Sequence, residues 1–256
     1  MGRGHVEFVS QSELPWEEER LSEAIPPVRS KTLSVDGTTG AFTRLVELPA
    51  GYGSEGPVPC PTPQELYGLG GTASVGEHTL AGDVYLRLPD DGPVGPLTSA
   101  TGCRLLWMSD AGLDADGNHD GHRFWPRGET ELQRRDTTEM DWQGSPSQGP
   151  EPGLFRKTLH VHEPSSALTM LARAEDWTEP RQEHHDCVET AYTLAGALKL
   201  GDRGTLTPGD YFWRPPWIRH GPMESVGDDG EFVALMRVDG PLVNHYTSAD
   251  GEPVNY

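Results

Sequence analysis

The segment Lys31-Thr32-Leu33-Ser34-Val35 returns half a chain length later as Lys157-Thr158-Leu159-His160-Val161. Glu13 and Trp16 recur as Glu139 and Trp142, and Pro26 as Pro152. Tyr67-x-Leu69-x-Gly71 matches Tyr192-x-Leu194-x-Gly196, and Gly82-Asp83 matches Gly209-Asp210. A chain built from two copies of one unit must fold as two similar bodies. The repeat also supplies an internal control. Residues common to both copies build the architecture, and chemistry confined to one copy marks where function sits.

The 256 residues therefore divide into two domains, 1–130 and 131–256. A formal net charge of -20 argues against nucleic acid or an anionic membrane surface as partner. No apolar run is long enough to span a bilayer. The three cysteines, Cys60, Cys103 and Cys187, are odd in number and widely spaced, which fits a reducing cytoplasm. The expected partner is a small-molecule substrate, and a homodimer stays open.

Phe42–Leu48, Asp83–Leu88, Leu168–Ala174 and Phe232–Val238 alternate apolar and polar residues in the manner of strands. Turn signals such as Asp36-Gly37, Gly70-Gly71 and Asp229-Gly230 separate them. Only Glu17–Glu23 reads as helical. Short, regularly spaced strands in a repeated unit predict an all-β protein with a sandwich or small barrel in each half. Asp114-x-Asp116-x-Asn118-x-Asp120 begins like a calcium loop, but His119 stands where glycine is needed and Trp125 where glutamate is needed. It reads as a solvated loop, with His119 and His122 at the surface.

The strongest chemical signal runs from Glu183 to Pro222. His185, three residues, Glu189, six residues and Gly196 are followed by Pro208-Gly209-Asp210 and His220. This pattern resembles the two motifs of the cupin superfamily. The Arg214-Pro-Pro stretch leading to His220-Gly-Pro, together with the doubling, resembles the ChrR-type cupins, named for the metal-binding domain of an anti-sigma factor. The resemblance implies tandem cupin β-barrels (double-stranded β-helix, jelly-roll), a degenerate first copy and a metal site in the second. It leans towards a non-haem Fe(II) dioxygenase acting on a small organic substrate. Metal-dependent isomerases, cyclases and lyases, and a non-catalytic sensor of the anti-sigma type, are the alternatives.

The residues support a site independently. Alternate strand residues share a face, so Glu183 and His185 point together and His184 points away. Glu189 and His220 can converge with them. Two imidazoles with one or two carboxylates suit Fe(II), with Mn(II), Zn(II), Ni(II) and Co(II) as further options. Glu183 stands where the family pattern has its first histidine. It could be a fourth ligand, a general base or a residue behind the ligands, and a register shift would put His184 in its place. Arg214 would orient an anionic substrate. Tyr211, Trp213 and Trp217 could be core and rim aromatics or form an apolar wall around a substrate, and alternation puts Tyr211 and Trp213 on one face and Arg214 on the other. Cys187 shares the parity of His185, so it could face the cavity or be a packed thiol. His160 and His162 could face a cavity or simply lie at the surface.

The first copy lacks these ligands. Cys60 aligns with His185, Gln64 with Glu189 and Val94 with His220. Arg87-x-Pro89 matches Arg214-x-Pro216, which suggests an arginine with one role in both copies.

Overall fold

A computed structural model describes residues 3–90, 92–113, 131–144 and 153–247. The calcium-like stretch with Asp114, Asp116, Asn118, His119, Asp120, His122 and Trp125 lies outside them, as does Pro152. The described residues are strands joined by turns, with three single 3-10 turns and no α-helix. No helix among them is long and apolar enough to cross a membrane. Two compact units form: Met1–Gly4 with Leu14–Met140, and His5–Glu13 with Asp141–Tyr256.

In the first unit the main sheet runs Gln133–Asp136, Val84–Leu88, Gln64–Val75, Cys103–Ser109, Phe42–Leu48, Val28–Val35, Glu17–Glu19. In the second it runs Val6–Ser10, Asp210–Arg214, Glu189–Gly196, Glu231–Val238, Ala167–Glu175, Leu154–His162, Gln143–Gly144. The orders match strand for strand. The strands read from alternation therefore form within a residue or two of the expected bounds, all in antiparallel ladders.

Two features differ from expectation. Glu17–Glu19 is an edge strand rather than part of a helix, with Glu17 opposite Ser30 and Glu19 opposite Val28. A short, acidic edge strand blunts an otherwise open sheet edge. Second, the division by packing falls after Met140 instead of near residue 130, and the opening strands of the two copies trade places. Gln133–Asp136 ladders on Val84–Leu88 in the first unit, and Val6–Ser10 ladders on Asp210–Arg214 in the second. Each covers an edge whose backbone groups would otherwise lie open.

The repeated Tyr-x-Leu-x-Gly has a backbone cause. Gly71 (φ 72°) and Gly196 (φ 67°) hold equivalent positive-φ positions. A Cβ at either would run into a carbonyl oxygen, that of Gly102 or Glu231.

In the first unit, Val46, Leu48, Leu66, Leu86, Leu88, Leu105 and Trp107 form one buried cluster on the inner face. In the second unit, the equivalent face carries Ala172, Ala174, Ala191, Phe212, Ala234 and Met236 around a cavity of about 310 Å3. All three cysteines are buried thiols and none is in a disulfide.

Candidate metal centre

Four acidic and imidazole side chains meet at one end of that cavity. Glu189 opens its strand directly opposite Arg214, which closes the neighbouring one, so both point to the same face. Glu183 and His220 reach the site from outside the main sheet. They form an isolated antiparallel bridge in which each N–H donates to the other's carbonyl at 2.9 Å. His185 stands two residues after Glu183, and its carbonyl accepts from the Trp217 N–H at 2.8 Å. Glu183, His185, Glu189 and His220 are all buried.

Both imidazoles are fixed in the same tautomer. Nδ1 of His185 lies 3.1 Å from the Val243 carbonyl, and Nδ1 of His220 lies 3.1 Å from that of Ile218. A carbonyl only accepts, so each Nδ1 carries a proton, and each Nε2 is turned inward, where in the neutral ring it is a donor to a metal. Glu183 Oε1 is 3.4 Å from His220 Nε2 and 3.9 Å from His185 Nε2. Glu189 Oε2 is 3.6 Å and 3.9 Å from the same two atoms. Donors about 2.1 Å from a shared ion stand about 3.0 Å apart at right angles and about 3.4 Å apart tetrahedrally. The observed set is that arrangement, slightly expanded.

The donors fit a cation for a second reason. Glu183 Oε2 and His220 Nε2 are buried with no hydrogen-bond partner. Orphaned buried acceptors of this kind are costly, and a metal ion satisfies both. Glu183, His185 and His220 form the tightest group, with one donor atom from each within 4.8 Å of the others. Glu189 is tethered: its Oε2 accepts from Arg214 Nη1 at 3.0 Å. Burial alone would raise its carboxyl, but His220, Arg214 and His185 together pull it down to about 2.

The other candidates divide between the two faces. His184 points away, its ring centroid 5.1 Å from that of His245 and 5.3 Å from that of Trp217. Trp217 is 63% exposed and lies outside the cavity. Tyr211 and Trp213 are buried on the face opposite to Arg214, against the edge strand Val6–Ser10. The residue between them, Phe212, lines the cavity, with the Arg214 guanidinium 3.9 Å above its ring. Strand parity counted from Arg214 would have picked Phe212. Cys187 is packed outside the cavity lining, and burial first of all pushes its thiol up to about 12. His160 is buried and His162 bonds to Ser165 at 2.7 Å, and neither lines the cavity.

A family model described as a domain of unknown function, DUF4437, matches residues 7–245. The chain belongs to the DUF4437 family. No curated protein matches it. Among solved structures, this DUF4437 chain is similar to a candidate dioxygenase from Nostoc punctiforme PCC 73102, at 18% identity and a TM-score of 0.76 over 100% of this chain and 91% of that one. It is also similar to an oxalate decarboxylase mutant from Bacillus subtilis, at 13% identity and a TM-score of 0.58 over 93% and 78% of the two chains. A third is a cupin 2 conserved barrel domain protein from Leptotrichia buccalis, at 10% identity and a TM-score of 0.57 over 94% and 97%. At these identities the likeness carries the fold. The two units share the fold of these cupin proteins, and the second has a histidine–glutamate cluster fit for a divalent metal.

One apparent match between the two copies dissolves in the ladder. Leu88, not Arg87, stands opposite Gln64 as Arg214 stands opposite Glu189. Arg87 is opposite Glu65 and faces the other way. A slip of one residue exchanges the faces, so the two arginines have no common role.

Proposed function

We propose that the second unit is a metal-dependent oxidoreductase of the non-haem Fe(II) dioxygenase type, acting on a small organic substrate in the 310 Å3 cavity. Glu183, His185 and His220 hold the metal, and Glu189 completes the set. The observation that carries this reading is the pair of orphaned donors, Glu183 Oε2 and His220 Nε2, buried beside an apolar cavity. The Nostoc protein described as a candidate dioxygenase supports the same direction. A bound Fe(II) with open positions would supply Lewis-acid and dioxygen chemistry.

The chain's own residues do the rest. Val243 and Ile218 hold the imidazole tautomers that leave both Nε2 atoms as donors. Arg214 keeps Glu189 ionised and aims it, which makes Arg214 a positioning residue. Phe212, Met170 and Met236 wall the substrate from water. Protein purified without chelator should carry close to one transition metal per chain, and His220→Ala close to none. The Fe(II)-loaded wild type should consume oxygen with a member of a panel of β-diketones and hydroxyketones. Absence of stoichiometric metal from the wild type ends the metal reading, and metal without oxygen uptake ends the dioxygenase assignment.

A further inference from the structure

We infer that the cavity takes an elongated organic anion, whose carboxylate is received by the guanidinium of Arg156 at the end remote from the histidine–glutamate centre. Only the placement of the substrate's other end rests on the metal reading.

The equivalence of the two units makes Arg156 stand out. Ser30 lies opposite Val46 in the first unit, as Arg156 lies opposite Ala172 in the second. On this face Val46, Leu48, Leu66 and Leu105 of the first unit become Ala172, Ala174, Ala191 and Ala234. Four large-to-small changes open the space, and the change from serine to arginine puts a cation into its wall. The acidic neighbour goes at the same time, because the edge-strand residue opposite Ser30 is Glu17 and the one opposite Arg156 is Gln143.

The other arginines of the cavity are engaged. Arg214 is held by Glu189 at 3.0 Å, and Arg173 by Glu175 at 3.1 Å. Arg156 is half-buried, its Nε is shielded from solvent without a hydrogen bond, and it has no ion pair among the described residues. A guanidinium fork in apolar surroundings matches one planar carboxylate. In a chain of net charge -20, long-range attraction cannot gather an anion, so a cation inside the cavity must select it. Arg156 is level with Ala172, Ala234 and Thr193 across the ladders, four residues along the strand from Glu189. That is a separation of roughly 13 Å along the strand direction. The substrate is therefore a carboxylate separated by an apolar body from the group that reacts.

Octanoate, 3-phenylpropanoate, 4-phenylbutanoate and 6-phenylhexanoate, each paired with its amide, test this by calorimetry and by quenching of Trp177, which lines the cavity. At least one acid should bind tenfold or more tightly than its amide. Arg156→Met should abolish that preference with metal content unchanged, and Arg156→Lys should retain part of it. The inference is overturned if no acid binds, if acids and amides bind alike, or if the preference survives Arg156→Met. A preference lost in His220→Ala but kept in Arg156→Met puts the carboxylate on the metal, which sinks this inference and leaves the metal reading intact. A preference that depends on Arg156 in a protein carrying no metal does the reverse.

Discussion

The two units solve one folding problem with opposite interiors. At the position where the second unit places Glu189, the first has Gln64, whose Oε1 accepts from Trp107 Nε1 at 2.7 Å and whose Nε2 donates to the Pro59 carbonyl at 2.7 Å. Every polar group there has a partner, and Trp107 fills the space that Met236 leaves open in the second unit. Cys60 and Val94, aligned with His185 and His220, pack in or against the apolar cluster. The first barrel satisfies the polar side chain at this position, whereas the second leaves Glu183 Oε2 and His220 Nε2 without hydrogen-bond partners beside a void. On the proposed function, stability and chemistry fall to different copies of one architecture.

The largest effects should follow that division. His185→Ala should lower the metal content of the protein as purified from near one per chain to below about a tenth, because removing an imidazole donor leaves an incomplete set. Gln64→Ala in the first unit should leave metal content untouched. Metal analysis of both variants decides whether the units are as unlike as their interiors suggest. Next in size is Trp107→Ala, which should destabilise its unit by about 3–5 kcal/mol through cavity formation. The reciprocal change, Ala234→Leu, enters an existing void and should cost less than about 1.5 kcal/mol while blocking ligand binding. Calorimetric unfolding of the two variants would break the comparison if their costs came out equal.

Much of this was legible in the sequence. The repeat, the alternation of Phe42–Leu48 and the spacing of His185, Glu189 and His220 are local regularities, and local regularities survive into the fold. Glu183 was legible too, because strand parity with His185 sets its direction. What could not be read depends on pairing across the ladder. Arg87 and Arg214 look equivalent along the chain, yet the register offsets them by one residue and turns them to opposite faces. Tyr211 and Trp213 are the more conspicuous aromatics, but their alternation with Arg214 puts them on the other face, and the cavity wall is Phe212. The edge strand paired with theirs comes from the far end of the chain, and nothing in its five residues announces which sheet it will join.

Acid should separate the units further. The Glu189 carboxyl titrates near 4.5 when unfolded and is held at about 2 in the fold. The unfolded chain therefore takes up this proton first. The stabilisation is complete above about pH 4.5 and is lost as pH falls towards 2, a few kcal/mol in all. Gln64 does not titrate, so the metal-free second unit should unfold at a higher pH than the first. Arg214→Met should shrink the difference by removing the cation beside Glu189. Acid titration of the chelator-treated protein, followed by circular dichroism, would refute this if both units unfolded together and the variant changed nothing.

The smallest effect sharpens the comparison within the second unit, between the two faces of one strand and its turn. Phe212 lines the cavity under the Arg214 guanidinium, whereas Trp217 is 63% exposed and lies beside the outward rings of His184 and His245. Trp217 contributes to the site through its backbone N–H, which holds the His185 carbonyl at 2.8 Å and survives any side-chain truncation. Trp217→Ala should therefore leave metal content and acid binding unchanged and shift stability by no more than about 0.5 kcal/mol. Phe212→Ala, which removes a cavity wall, should weaken acid binding and cost about 3 kcal/mol or more. If Trp217→Ala instead weakened binding as much as Phe212→Ala, the outward aromatic cluster would belong to the site, and the wall would lie on the face the sequence first suggested.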